Sequence, residues 1–189
     1  GLAGTLAEVY VGLNKPEKGL GYIEKALARD PFREDYWLTR GKLLEANGQV
    51  EGAKSAYRRS IALAPELIES RFGLAQLAFR QQKYAEIESI LHRDNELYPN
   101  LVPSASALNL LAAAYQNQGK PLLALATMIE VVQKEDNPEY WITLARFQIA
   151  LHRDPRESIN RALACDPNQR QLLEADQVFA PYLEPKKLS

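Results

Sequence analysis

Reactive side chains are scarce in this 189-residue sequence, which has one cysteine, Cys165, and two histidines, His92 and His152. A lone cysteine rules out an internal disulfide framework; that agrees with a reducing compartment without requiring one. The sequence has no Gly-rich phosphate loop, no H-E-x-x-H, no C-x-x-C and no G-x-S-x-G. It therefore carries none of the local signatures of nucleotide, zinc or serine-nucleophile chemistry, and no cofactor or metal site is expected. No run of 18 apolar residues occurs, so no transmembrane helix and no direct membrane insertion are expected. The 23 basic and 24 acidic residues leave a net charge of −1, which gives no broad attraction to nucleic acid. No strand pattern appears. No signal peptide is visible, and the chain enters a helical pattern directly after Gly1. It reads as a fragment whose compartment, cytoplasm or periplasm, stays open.

What is present is a period. Pro31, Pro65 and Pro99 fall 34 residues apart, and each closes a stretch with the same apolar spacing. The first stretch carries Leu6, Ala7, Tyr10 and Ala26-Leu27. The second carries Trp37, Gly41, Leu44, Gly48, Ala53 and Tyr57, and the third Leu74, Ala75, Ala78, Ile87 and Leu91. A fourth follows after three extra residues, with Leu108, Leu111, Ala112, Tyr115, Gly119, Ala124 and Met128. A fifth runs from Trp141, Leu144 and Ala145 to Ala162-Leu163 and Pro167. Each unit holds two apolar runs at helical spacing with a polar turn between them. A fixed period of this size marks stacked helix–turn–helix units, none of which buries its own stripe alone.

The pattern predicts helices over 2–13, 16–29, 33–47, 50–63, 67–81, 84–97, 104–118, 121–134, 138–151 and 155–165. Small residues (Gly41, Ala75, Ala112, Ala145) mark close helix approach, and Trp37, Tyr57, Tyr115 and Trp141 fill the space beside them. Pro31, Pro65, Pro99 and Pro167 stop second helices. Pro16, Pro121 and Pro155 start them, where a missing N–H costs nothing. Asp154 is a predicted N-cap, and Asn14 and Gly119 mark turns. The middle of the fifth unit is about two residues short, which predicts a tighter turn there. A last helix near 168–178, with Leu172, Leu173 and Val178, is expected to cap the fifth unit. Pro181 and the tail from Glu184 to Ser189 read as loosely attached.

These residues resemble the tetratricopeptide repeat, whose pattern is W-x-x-L-G-x-x-Y, a turn glycine, then A, F, A and a closing P. The resemblance covers about Leu2 to Pro167. Departures stand at Arg40 for leucine, Arg71 for tryptophan and Asp94 for alanine. It implies an all-α, right-handed α-solenoid of about five repeats (1–33, 34–67, 68–101, 105–137, 138–167) with a C-terminal cap over 168–180 and a flexible tail over 181–189.

The resemblance also implies a function. First helices of the family line a concave groove that receives an extended peptide or a partner helix. The groove positions here are Leu38, Lys42 and Glu45, then Phe72, Gln76, Phe79 and Arg80, then Asn109, Gln116 and Asn117, and finally Ile142 and Arg146. Phe72 and Phe79 share a helix face. With Lys42, Arg80 and Arg146 they suit a ligand with an apolar anchor and acidic groups. The lysine–asparagine–arginine clamp that holds a C-terminal carboxylate in some members is absent: its positions are Gly4, Glu8, Thr39, Glu69 and Gly73. The simpler reading is preferred for the remaining candidates. The histidines are taken as helix-surface or helix-end residues, Cys165 as a packed small residue and Glu135-Asp136 as a solvated loop. The expectation is a non-catalytic protein-interaction scaffold. Alternatives are the repeat region of a larger bacterial envelope assembly protein, in pilus biogenesis or exopolysaccharide export, or a non-catalytic arm of an enzyme. Self-association through the solenoid ends is a further expectation.

Overall fold

A computed structural model describes residues 1–92 and 102–183. Within them lie eleven α-helices, one 3-10 turn and no strand. The chain forms two compact units, Gly1–Pro103 and Ser104–Ser189. The first contains α1 (Leu2–Gly12), α2 (Pro16–Arg29), α3 (Glu34–Ala46), α4 (Val50–Leu63), α5 (Ile68–Arg80) and α6 (Tyr84–His92). The second contains α7 (Ala105–Asn117), α8 (Pro121–Lys134), α9 (Pro138–Ala150), α10 (Arg156–Cys165) and α11 (Gln169–Ala175), closed by the 3-10 turn Ala180–Tyr182. Helices pack in sequential pairs, α1 on α2 through α9 on α10, as a tetratricopeptide solenoid requires. Asp94, Pro99, the end of the helix predicted over 84–97, the side chain of His92 and the tail 184–189 lie outside the described residues.

Local chemistry explains the pairs. Pro16, Pro121 and Pro138 stand at the first position of α2, α8 and α9. Pro31, Pro65 and Pro167 each come two residues beyond the last residue of α2, α4 and α10, where they bar continuation. Every turn inside a pair holds one residue with positive φ: Asn14 (51°), Gly48 (73°), Gln82 (58°), Gly119 (69°) and His152 (54°). This left-handed residue reverses the chain in a few residues, and it is where side chains other than glycine are strained. His152 is thereby placed as a helix-end residue.

Two expectations are corrected. The fifth turn is not tighter. Residues 151–155 separate α9 from α10, whereas three residues separate the other pairs, and the shortage falls on α10, which has 10 residues against 14 in α2, α4 and α8. Pro155 accordingly sits just before the helix, and Asp154 still accepts the Arg156 amide at 3.1 Å. The cap also differs. Leu172 and Val178 are exposed, and Leu173 and Phe179 are buried against Ala145 and Ile159. Tyr182 and Leu183 pack on the same cluster, so the turn containing Pro181 is seated rather than loose.

Arg71 solves the position where tryptophan is usual. Trp37, one period earlier, donates its indole N–H to the carbonyl of Pro31 at 2.8 Å. Arg71 donates Nε to the carbonyl of Pro65 at 2.8 Å, and its Nη1 reaches the Ile90 carbonyl at 3.0 Å. The guanidinium thus repeats the indole's bond back to the inter-repeat proline while tying α5 to α6. Arg40, at the leucine position, pairs with Glu24 at 2.7 Å and lies over Trp37.

Candidate functional site

A cavity of about 550 Å³ opens in the first unit between α3 and α5. Lys42, Glu45 and Ala46 line it from α3, and Glu69, Phe72, Gly73, Gln76 and Arg80 from α5. Tyr57, projecting from α4, forms its floor. The floor is built by two glycines. A Cβ on Gly41 would stand 2.5 Å from the Tyr57 ring, and one on Gly73 would stand 2.6 Å from it. The ring therefore lies clamped between α3 and α5 backbones that only glycine lets so close.

The polar end of Tyr57 is fixed as firmly. Its hydroxyl donates to Glu45 Oε2 at 2.6 Å, and Arg80 Nη2 donates to Glu45 Oε1 at 2.5 Å. Burial raises the phenol pKa, and the bond to Glu45 raises it further, so the hydroxyl stays protonated and remains the donor. One carboxylate thus locks a side chain from α4 and another from α5 onto α3.

Five of the groove residues expected from the sequence meet in this cavity: Lys42, Glu45, Phe72, Gln76 and Arg80. Leu38 packs on the Leu44–Tyr57–Leu77 cluster. Phe79 is not among the lining residues and meets Tyr84 edge-on at 5.2 Å. Arg80 is committed to Glu45. Asn109, Gln116 and Asn117 lie on α7 in the second unit, where Asn117 Nδ2 donates to the carbonyl of Ala113 at 2.8 Å. Ile142 and Arg146, on α9, are met by the chain's own C-terminal segment. Ile142 packs on the Leu173–Phe179 cluster, and Arg146 pairs with Asp176 at 2.9 Å while lying over the Phe179 ring. Ala46, Tyr57, Glu69 and Gly73 were not expected as lining. Tyr57 belongs to a second helix, and its role depends on two glycines 32 residues apart in sequence.

Cys165 is corrected: it is exposed rather than packed. Its thiol donates to Asp136 Oδ1 at 3.2 Å, and the same oxygen accepts the Trp141 indole at 2.6 Å. The bond to the carboxylate raises the thiol pKa, while the indole and the thiol hold Asp136 below the usual carboxylate range. Asp136 is thus a structural acceptor that ties α9 and α10 to the preceding turn. Among the described residues no group of three or more His, Cys, Asp and Glu side chains is placed to hold a metal ion, and no helix is long and apolar enough to cross a membrane.

A family model described as tetratricopeptide repeat matches residues 5–68 and, overlapping, 38–86. The chain is 25% identical over 180 residues to TPR repeat-containing protein MJ1428 of Methanocaldococcus jannaschii, an alignment covering 90% of this chain and 31% of that one. It spans between 9% and 31% of the length of the curated relatives it matches. Among solved structures, MamA (residues 41 to the end) from Desulfovibrio magneticus RS-1 aligns with a TM-score of 0.67 at 15% identity, covering 93% of this chain and 96% of that one. YrrB, described as a TPR protein with an unusual peptide-binding site, aligns with a TM-score of 0.67 at 16% identity, covering 92% and 89%. At such identities these two likenesses concern the fold.

Proposed function

Since the chain belongs to the tetratricopeptide repeat family, we propose that it is a non-catalytic scaffold whose first unit binds a peptide segment of a partner protein between α3 and α5. One observation carries the reading: the cavity has a half-buried aromatic side chain, Phe72, on a floor that is rigidly built, with charged groups around its rim. A fixed floor spares the ordering cost that weakens most peptide contacts, and an aromatic anchor in a desolvated pocket is the usual source of binding energy. That YrrB is described as having a peptide-binding site supports the reading by analogy of fold.

The test begins with peptides selected against the chain from a random library and measured by fluorescence anisotropy. Phe72→Ala is expected to weaken them by about 2 kcal/mol, roughly thirty-fold, with unchanged helical circular dichroism. Selected peptides that bind Phe72→Ala and Lys42→Ala as tightly as the parent chain place the binding surface elsewhere and end this reading.

A further inference from the structure

We propose that the α3–α5 cavity is selective for an extended peptide in which one basic and one acidic residue flank an apolar side chain, about three to four residues apart. This rests on the peptide-binding reading above and adds the chemistry of the ligand. Four charged groups line the cavity: Lys42, Glu45, Glu69 and Arg80. Glu45 and Arg80 satisfy each other at 2.5 Å, and Glu45 also takes the Tyr57 hydroxyl. That pair contributes no net charge and is held by the floor. Lys42 and Glu69 differ from it: both are exposed, and neither has an ion-pair partner among the described residues. They are the charges left for a ligand, and they are opposite in sign.

Their places on the helices set the spacing. Lys42 on α3 is one 34-residue period before Gln76 on α5, so it stands level with Gln76 in the repeat. Glu69 lies seven residues before Gln76 on α5, which at the helical rise is roughly 10 Å along the groove. Phe72 lies between them, one turn from Glu69 and one turn from Gln76. An extended chain covers roughly 10 Å in about three residues. A peptide laid along the groove thus meets a carboxylate, an aromatic ring and an ammonium in that order. A ligand with two acids sets one of them against Glu69, and a ligand with two bases sets one against Lys42. Only a mixed pair meets an opposite charge at both ends.

Fluorescence anisotropy on the full chain would use labelled, end-blocked peptides of one sequence with a central leucine. The flanking positions would be Lys and Glu in either order, Lys and Lys, Glu and Glu, or Gln and Gln. The better mixed peptide is expected to bind about three- to ten-fold tighter than the neutral one, an advantage that fades in high salt, as for exposed ion pairs. Lys42→Glu is expected to move the preference to the dibasic peptide and Glu69→Lys to the diacidic one. If every peptide binds equally in all three proteins and Phe72→Ala abolishes them all, the charge rule is wrong and the peptide site stands. If none binds, or Phe72→Ala leaves binding unchanged, the peptide site fails and the charge rule with it.

Discussion

Gly73→Ala measures how tightly the groove floor is built. On an open helix face alanine stabilises by about 1 kcal/mol over glycine, because it restricts the unfolded chain and favours the helix. Gly21 in α2 supplies that baseline, since a Cβ there meets nothing within 4 Å. At Gly73 the added carbon would stand 2.6 Å from Tyr57 Cζ and 2.9 Å from both Cε atoms, at the hydroxyl end of the ring. The ring has little room to retreat, because Gly41 crowds its Cδ1–Cε1 edge and the hydroxyl is held by Glu45. Overpacking of this kind costs about 1–3 kcal/mol or somewhat more. Set against the gain of about 1 kcal/mol, Gly73→Ala is expected to destabilise the first unit by up to about 2 kcal/mol, some 1–3 kcal/mol below Gly21→Ala. Urea unfolding reads this cleanly in a Trp141→Phe background, where Trp37 fluorescence reports the first unit alone. Removing the ring with Tyr57→Ala should abolish the penalty, so the two changes must be strongly non-additive. Equal stability of Gly73→Ala and Gly21→Ala, or simple additivity with Tyr57→Ala, would refute the clamp.

Three further outcomes are expected. Gln82→Gly should raise first-unit stability by about 1 kcal/mol, because Gln82 holds a φ of 58° that glycine adopts freely; a lower urea midpoint would contradict this. Phe179→Ala should cost the second unit about 3 kcal/mol or more, since the ring is fully buried under the C-terminal turn; thermal melts followed by Trp141 in a Trp37→Phe background would show it, and a loss under about 1 kcal/mol would mean the cap is not seated as described. Alkylation of Cys165 should require higher pH than a free thiol, because the bond to Asp136 favours the protonated form. Asp136→Asn removes the negative charge, lowers the thiol pKa and should speed alkylation at neutral pH; an unchanged rate would rule out the Cys165–Asp136 contact.

Periodicity made most helices readable, because each paired helix must turn one stripe inward and the stripe repeats at a fixed interval. It could not say where a deletion is absorbed. Two missing residues near Asp154-Pro155 can shorten a turn or a helix, and they shorten α10 because the left-handed residue at His152 is kept. Nor could it find Phe179, which stands just before a three-residue turn too short to show a period. In the site, Phe72 and the close approach at Gly41 were legible, whereas Gly73 and the turning away of Phe79 were not. The fate of the charges was not: Arg80 joins a carboxylate 35 residues away and Arg146 one 30 residues away. Such pairings leave no mark on the pattern of either helix. Tyr57 could be read as a core ring, yet its place as a floor appears only once Gly41 and Gly73 bring two helices against it.

Arg71 grips two main-chain oxygens, one on the linker before its own helix and one on α6. Any residue can supply a carbonyl, so this joint asks nothing of the side chain at position 90, and the demands on α6 come instead from its buried Ile87 and Leu91. The joint is intolerant in the other direction. Lysine, with a single nitrogen at the end of its stem, cannot span both oxygens at once, so the joint distinguishes between two residues of the same charge.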